Sequence, residues 1–196
     1  MSEPFLERWL ADVIATPGVT GFRDVASARP VLLDDALRAR AIVERFGGRV
    51  IDVGSGGGSP GIPLAVALPL RSFTLLEAER RKCDFLERAT AALPNADVVW
   101  GRAEEQPVDA FGVALAKALA KPPVAAELCL PLVEPGGAVV LWIGPTADRD
   151  PVARVAELLG GCLESDGDGL VVLRKLTATP PGFPRRSGMA KKRPLG

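Results

Sequence analysis

The 196-residue chain contains no histidine. That one absence removes Ser-His-Asp triads, Cys-His dyads and nearly every histidine-bearing metal site. Cysteine is scarce as well. Cys83, Cys129 and Cys162 are widely spaced and form no C-x-x-C pair. A disulfide framework or zinc knuckle is therefore excluded, leaving reduced core thiols of a cytosolic protein. No apolar run approaches the ~18 residues of a membrane span. The opening MSEPFLERWLAD has acids where a signal peptide would carry bases. Both features predict a soluble, cytoplasmic chain. Net charge is absent too, Lys+Arg and Asp+Glu each counting 24, so any electrostatic preference must come from distribution.

The distribution is uneven. Leu176 to Gly196 carries five basic residues and no acid, while the other 175 residues hold 19 basic and 24 acidic. A mildly acidic body with a basic tail suggests a polyanion contacted locally. Apolar residues make up 47% of the chain, ample for a buried core.

Periodicity predicts helices over Phe5–Ile14 and Pro30–Phe46, the second ended by Gly47-Gly48. Beyond these the pattern alternates. Strands are expected at Arg49–Val53, Ser72–Glu77, Ala96–Trp100, Phe111–Leu115, Ala138–Ile143 and Leu170–Leu176. Helices are expected at Gly61–Leu68, Ala78–Leu93, Val124–Leu132 and near Pro151–Leu159. Such alternation implies right-handed βαβ units and an α/β doubly wound, mostly parallel sheet. The expected organisation is a helical cap over residues 1–47, a ligand-binding domain over 48–176, and a basic tail over 177–196 without regular structure, packing on or near the domain. Trp100 and Trp142 lie in strand patterns and read as core; Arg80, Arg81 and Lys82 read as a solvated helix face.

What the chain has in abundance is glycine at one place. "IDVGSGGGSPGIPLA", Ile51 to Ala65, holds five glycines and two prolines between two apolar runs. In open α/β sheets the ligand sits outside the carboxyl ends of the strands, and this loop follows the first strand. Gly56-x-Gly58-x-x-Gly61 matches the dinucleotide fingerprint, which sets a pyrophosphate at a helix N-terminus. From Asp52 the same residues form D-x-G-x-G-x-G through Gly54, Gly56 and Gly58. A pyrophosphate would gain nothing from Asp52, whereas a cationic sulfonium bearing an ammonium group would. Pro60 and Pro63 remove donors that a phosphate would use. Glu77, closing the second strand, suits ribose hydroxyls in either class. In "GRAEE" (Gly101–Glu105) the acid after the third strand would face an adenine, or else belong to a solvated loop.

In this order and spacing, "DVGSGGGSPGIPLA", "FTLLEAERRKCDFLE", "GRAEE", "PLVEPGGAVVLWIG" and "TPPGFPRRSGMAKKRPL" resemble the bacterial 16S ribosomal RNA guanine-N7 methyltransferases of the RsmG, or GidB, type. The resemblance runs from about Val19 to Leu195 and is weak before Arg49. It implies a Rossmann-like class I methyltransferase sheet, S-adenosylmethionine as cofactor, and methyl transfer to N7 of a guanosine in 16S rRNA or a 30S particle. The expected cofactor-binding residues are Asp52, Gly54, Gly56, Gly58, Ser59, Glu77, Ala103, Glu104 and Lys117. Lys117 is also the expected catalytic cation, placing cofactor carboxylate or RNA phosphate. Arg185, Arg186, Lys191, Lys192 and Arg193 are expected on the RNA backbone, with Phe183 stacking on a base. No metal and no membrane are expected, and the chain is expected to be a monomer.

Three positions depart from the family's pattern. Lys117 in "LAKALAK" stands where arginine is usual, and it lacks the planar bidentate fork. Ile143 stands where a lysine usually follows the P-G-G strand. The short N-terminal part lacks the usual histidine, reading "LLDDAL". A methyltransferase with another RNA or a small-molecule substrate, a non-catalytic RNA-binding relative and, more distantly, a dinucleotide oxidoreductase are the other readings.

Overall fold

The central strand β1 (Val50–Val53) is buried at all four positions, as expected of a strand covered on both faces. It pairs in parallel with β2 (Phe73–Glu77) on one side and β4 (Phe111–Lys117) on the other. The sheet continues outward through β3 (Ala96–Trp100) beyond β2 and β5 (Val133–Trp142) beyond β4. With β6 (Gly161–Gly167) and β7 (Leu170–Lys175), the seven-stranded order is β3-β2-β1-β4-β5-β7-β6, β7 running antiparallel to both its neighbours. Strand order reverses between β1 and β4, which opens the crevice where ligands of such sheets bind. The structure, a computed structural model, describes residues 2–144, 146–167 and 169–195; Met1 and Gly196, the ends of the expected segments, lie outside the described residues.

The helices are α1 (Ser2–Ala15), α2 (Val25–Arg29), α3 (Asp35–Leu37), α4 (Arg40–Glu44), α5 (Gly61–Ala67), α6 (Arg80–Thr90), α7 (Pro122–Cys129), α8 (Asp150–Leu158) and α9 (Met189–Lys192). The expected Pro30–Phe46 helix begins earlier, because Asp24 caps it by accepting from the Ser27 N–H at 2.8 Å. A π-helical turn, Pro30–Asp34, interrupts it, since proline contributes no donor to the ladder. The basic tail, expected to be irregular, contains α9.

Two buried clusters sandwich the sheet. One joins Leu6, Trp9, Leu10 and Val13 of α1 and Leu33 and Val43 of the cap to Val50, Ile62, Leu75 and Val113. The other gathers Ile51, Val139, Val155 and Cys129 on the opposite face, and Phe183 and Leu195 of the tail pack against it. Cap and sheet therefore share one apolar core. Trp100, expected in the core, is 60% exposed. It ends an edge strand, where only one flank has a neighbour, and the Arg80 guanidinium stacks on it 5.4 Å from the ring centre.

Candidate functional site

Beyond the carboxyl ends of β1, β2 and β4 lies a cavity of about 460 Å³. Its floor is the glycine loop. Gly54 adopts φ +74°, a conformation that favours glycine, and a Cβ there would push aside the Leu119 side chain, whose Cδ1 lies 2.5 Å away. The loop is pinned from the sheet, where the N–H groups of Gly54 and Ser55 donate to the Leu76 carbonyl at 2.8 and 3.0 Å. It is also pinned from the cap. Trp9 Nε1 donates to the Gly57 carbonyl at 2.9 Å, and Ser59 Oγ to that of Leu32 at 2.7 Å. Gly54, Gly56 and Ser59 line the cavity, as do Val13 and Leu32 of the cap.

Glu77 is 8% exposed and lines the same cavity. Its Oε2 accepts from the Gly56 N–H at 2.9 Å and its Oε1 from the Glu79 N–H at 2.8 Å. A carboxylate offers about four acceptor sites, so each oxygen keeps one for a ligand hydroxyl. Ala103 and Glu104, in the short 3-10 turn after β3, form another stretch of wall. Glu104 Oε1 accepts from the Gly188 N–H of the tail at 2.9 Å.

Asp52 and Gly58 are placed elsewhere. Neither lines the cavity. Asp52 is 1% exposed, and its Oδ2 accepts from the Gly61 N–H at 3.0 Å, holding the start of α5. Burial pushes its carboxyl up to about 7, against the opposing pull of Ser55 and Gly61 hydrogen bonds. Asp52 therefore holds the turn into α5 from beneath the loop instead of facing the cavity, and the expected contact with the cofactor is corrected to a structural role. Gly58 has φ +97°, and a Cβ there would run into the Ile62 side chain.

Lys117, at the end of β4, does line the cavity, but its ammonium is engaged. It pairs with Asp35 Oδ2 at 2.6 Å and donates to the Val31 carbonyl. Trp142 Nε1 donates to the Asp35 carbonyl at 3.1 Å, tying the same cap residue to β5. An ammonium has three donors, and two serve the cap. Ile143 is 8% exposed within the apolar cluster and presents no cation.

The tail residues divide. Arg186, Lys191, Lys192 and Arg193 are exposed. Arg185 is not available in the way expected. Its Nε and Nη2 grip Glu127 Oε1 and Oε2 at 2.6 and 2.7 Å, and the Glu127 side chain is 3% exposed. Phe183 is partly buried against the α7-side cluster. Residues missed from sequence include Lys82, Arg102, Gly188, Ala190 and, beneath them, Glu127. A lone acid in the apolar run PVAAELCLPL was a readable sign of a buried partner; nothing local marked the others.

The family described as rRNA small subunit methyltransferase G (GidB) matches residues 9–158. The chain belongs to this family. A ribosomal RNA small subunit methyltransferase G from Pelotomaculum thermopropionicum is 36% identical, covering 90% of this chain and 81% of the relative. That of Symbiobacterium thermophilum is 40% identical over 76% of this chain and 70% of the relative. In fold, the chain resembles the T. thermophilus 16S rRNA N2 methyltransferase RsmC, solved with AdoMet and guanosine (TM-score 0.58, 22% identity, 85% of this chain and 43% of that one). It also resembles P. horikoshii TYW2, solved with MeSAdo (TM-score 0.56, 12% identity, 71% of this chain and 59% of that one). The sheet is that of a class I methyltransferase, and S-adenosylmethionine is the cofactor of this GidB-family chain.

The cavity fits that cofactor. Glu77 has spare acceptors for a vicinal diol, Leu76, Ala103 and Leu128 offer apolar wall for a base, and the left-handed glycines let the backbone approach closely. Among the described residues no cluster of three His, Cys, Asp or Glu side chains could hold a metal, and no helix is long and apolar enough to cross a membrane.

Proposed function

We propose that this GidB-family enzyme methylates N7 of a guanosine in 16S rRNA, acting as a monomer in the cytoplasm. The N7 assignment is supported by how the cavity's titratable groups are used: its two carboxylates are both held by backbone N–H groups, Glu77 by Gly56 and Glu79 and Glu104 by Gly188. The chain has no histidine, and Asp52, whose carboxyl titrates near neutrality, lies under the loop rather than in it. Methylation of an exocyclic amine or a hydroxyl requires loss of a proton. The N7 lone pair lies in the ring plane and attacks a methyl sulfonium directly.

The remaining task is alignment, which in favourable cases supplies several kcal/mol of the barrier reduction. S-adenosylmethionine, when bound, supplies the electrophilic methyl group. Glu77, Gly54, Gly56, Ser59 and the Ala103-Glu104 turn would hold it. Lys117, with one donor left, would orient its carboxylate or an RNA phosphate while fixing the cap over the loop. The target base must leave its stack to reach the cavity. The exposed Arg186, Lys191, Lys192 and Arg193 would grip the RNA backbone.

The test is methyl transfer from labelled cofactor to 30S particles and to 16S RNA that lack the mark, followed by chemical cleavage diagnostic of 7-methylguanosine. Label at a single N7 is the expected result. Label on an exocyclic amine or a ribose hydroxyl refutes the N7 assignment, and RNA binding without any transfer identifies a non-catalytic relative.

A further inference from the structure

The tail is more than a cationic appendage, because its inner side is part of the cavity. It leaves β7 with Leu176 and Thr177 N–H groups donating to the Gly160 carbonyl at 2.8 and 2.9 Å. Thr179 is then fixed twice over. Its Oγ1 donates to Asp109 Oδ1 at 2.7 Å, and its N–H to Asp109 Oδ2 at 3.0 Å. Next comes Arg185, which closes a loop on itself. While its Nε and Nη2 hold both oxygens of Glu127, its Nη2 also donates to the Arg193 carbonyl at 2.8 Å. One guanidinium thus joins α7 to both ends of the 185–193 segment.

Within that segment the Gly188 N–H is bound to Glu104, and Ala190 is 3% exposed. Gly188, Ala190 and Lys191 line the same cavity as Glu77 and the glycine loop, and so does Leu128, next in sequence to Glu127. The carboxylate being gripped therefore sits on the helix that forms the adjoining wall. The outer side of the segment carries the exposed cations, so fixing its inner side also fixes where they are presented.

We propose that the Arg185–Arg193 segment is a wall of the S-adenosylmethionine pocket and that Arg185 is a positioning residue for cofactor binding, acting through Glu127 and the Arg193 carbonyl. The proposal rests on the reading of the cavity as the cofactor site. It assigns Arg185 to the cofactor side of the reaction, and Ala190 to direct contact with the ligand. A guanidinium satisfies three acceptors here in a fixed plane. A lysine keeps the charge against Glu127 but cannot span both carboxylate oxygens and the carbonyl together.

Two variants and one measurement on the unaltered chain test it. Arg185→Lys should raise the KM for S-adenosylmethionine about tenfold with kcat at saturating cofactor unchanged; general damage to the fold would lower kcat and leave KM unmoved. Ala190→Leu inserts three carbons into the pocket and should weaken S-adenosylhomocysteine binding, measured by calorimetry, roughly ten- to hundredfold. In the unaltered chain, saturating S-adenosylhomocysteine should slow amide exchange of Gly188, Ala190 and Lys191, a result that depends on no variant folding. An unaltered chain that binds no S-adenosylhomocysteine overturns the reading of the cavity itself. Tight binding in the unaltered chain, with both variants within twofold and no slowing at 188–191, overturns the wall while leaving the cavity reading intact.

Discussion

Replacing Asp52 by asparagine should change how stability depends on pH. Asp52 is buried under the glycine loop, and its carboxyl is pushed up from 3.8 to about 7, burial being the largest cause. The charged groups near it are Glu77, which raises it further, and Lys117, which lowers it. In the unfolded chain the group loses its proton near 3.8. Between these values the folded state holds a proton that the unfolded state does not. Stability from this group is therefore full below about pH 4 and declines as pH rises through about 7. A shift of about three units corresponds to on the order of 4 kcal/mol in total, of which roughly 3 kcal/mol falls between about pH 5 and about pH 8. An asparagine side chain in its place would keep an acceptor for the Gly61 N–H and cannot ionise. Guanidinium unfolding of both proteins across that range is the assay, and their difference cancels every other titrating group. The expected result is a difference that moves by roughly 3 kcal/mol in favour of Asp52→Asn as pH rises. A difference that stays flat would mean that Asp52 is ionised throughout and that its hydrogen bonds overcome burial.

Glu77→Gln keeps the size of the side chain but replaces one acceptor oxygen by a donor, so it cannot accept from both the Gly56 and Glu79 N–H groups. Cofactor affinity should fall about tenfold or more by calorimetry, and unchanged affinity would remove Glu77 from the site. The Lys175 ammonium is fully buried and donates to the Leu130 and Leu159 carbonyls and to Thr179 Oγ1. Lys175→Met should lower stability by about 3 kcal/mol in urea unfolding, because it leaves these acceptors and Asp109 without their cation. A loss below about 1 kcal/mol would show that the tail anchor does not depend on it.

Local patterns carried most of the fold. The strand–helix alternation, the glycine loop after β1 and an acid closing β2 are properties of short stretches, and each lies where the sequence placed it. What escaped depends on partners distant in the chain. β6, "GCLESDG", has two glycines and two acids in seven residues and no strand signature; it forms because β7 offers an edge to pair with. Asp52 was read from motif spacing as facing a ligand, but in a strand adjacent side chains point to opposite faces, and its own points toward Gly61. Arg185 and Arg186 are neighbours of identical type, and only the position of Glu127, 58 residues earlier, separates an internal clamp from an exposed cation.

The core shared by cap and sheet has a consequence for synthesis. Residues emerge from the ribosome in chain order, so α1 appears before α2 and α5, the helices it packs against. Leu6, Trp9, Leu10 and Val13 are buried in a cluster that reaches Val113, Val140 and Val172, and Trp9 must wait for the Gly57 carbonyl. The first helix is thus made before the loop and helix that complete its packing. Its apolar face stays open to water, or to a chaperone, until α2 and α5 have been made, and a nascent chain stalled before α5 would expose the surface that later closes over the cofactor loop.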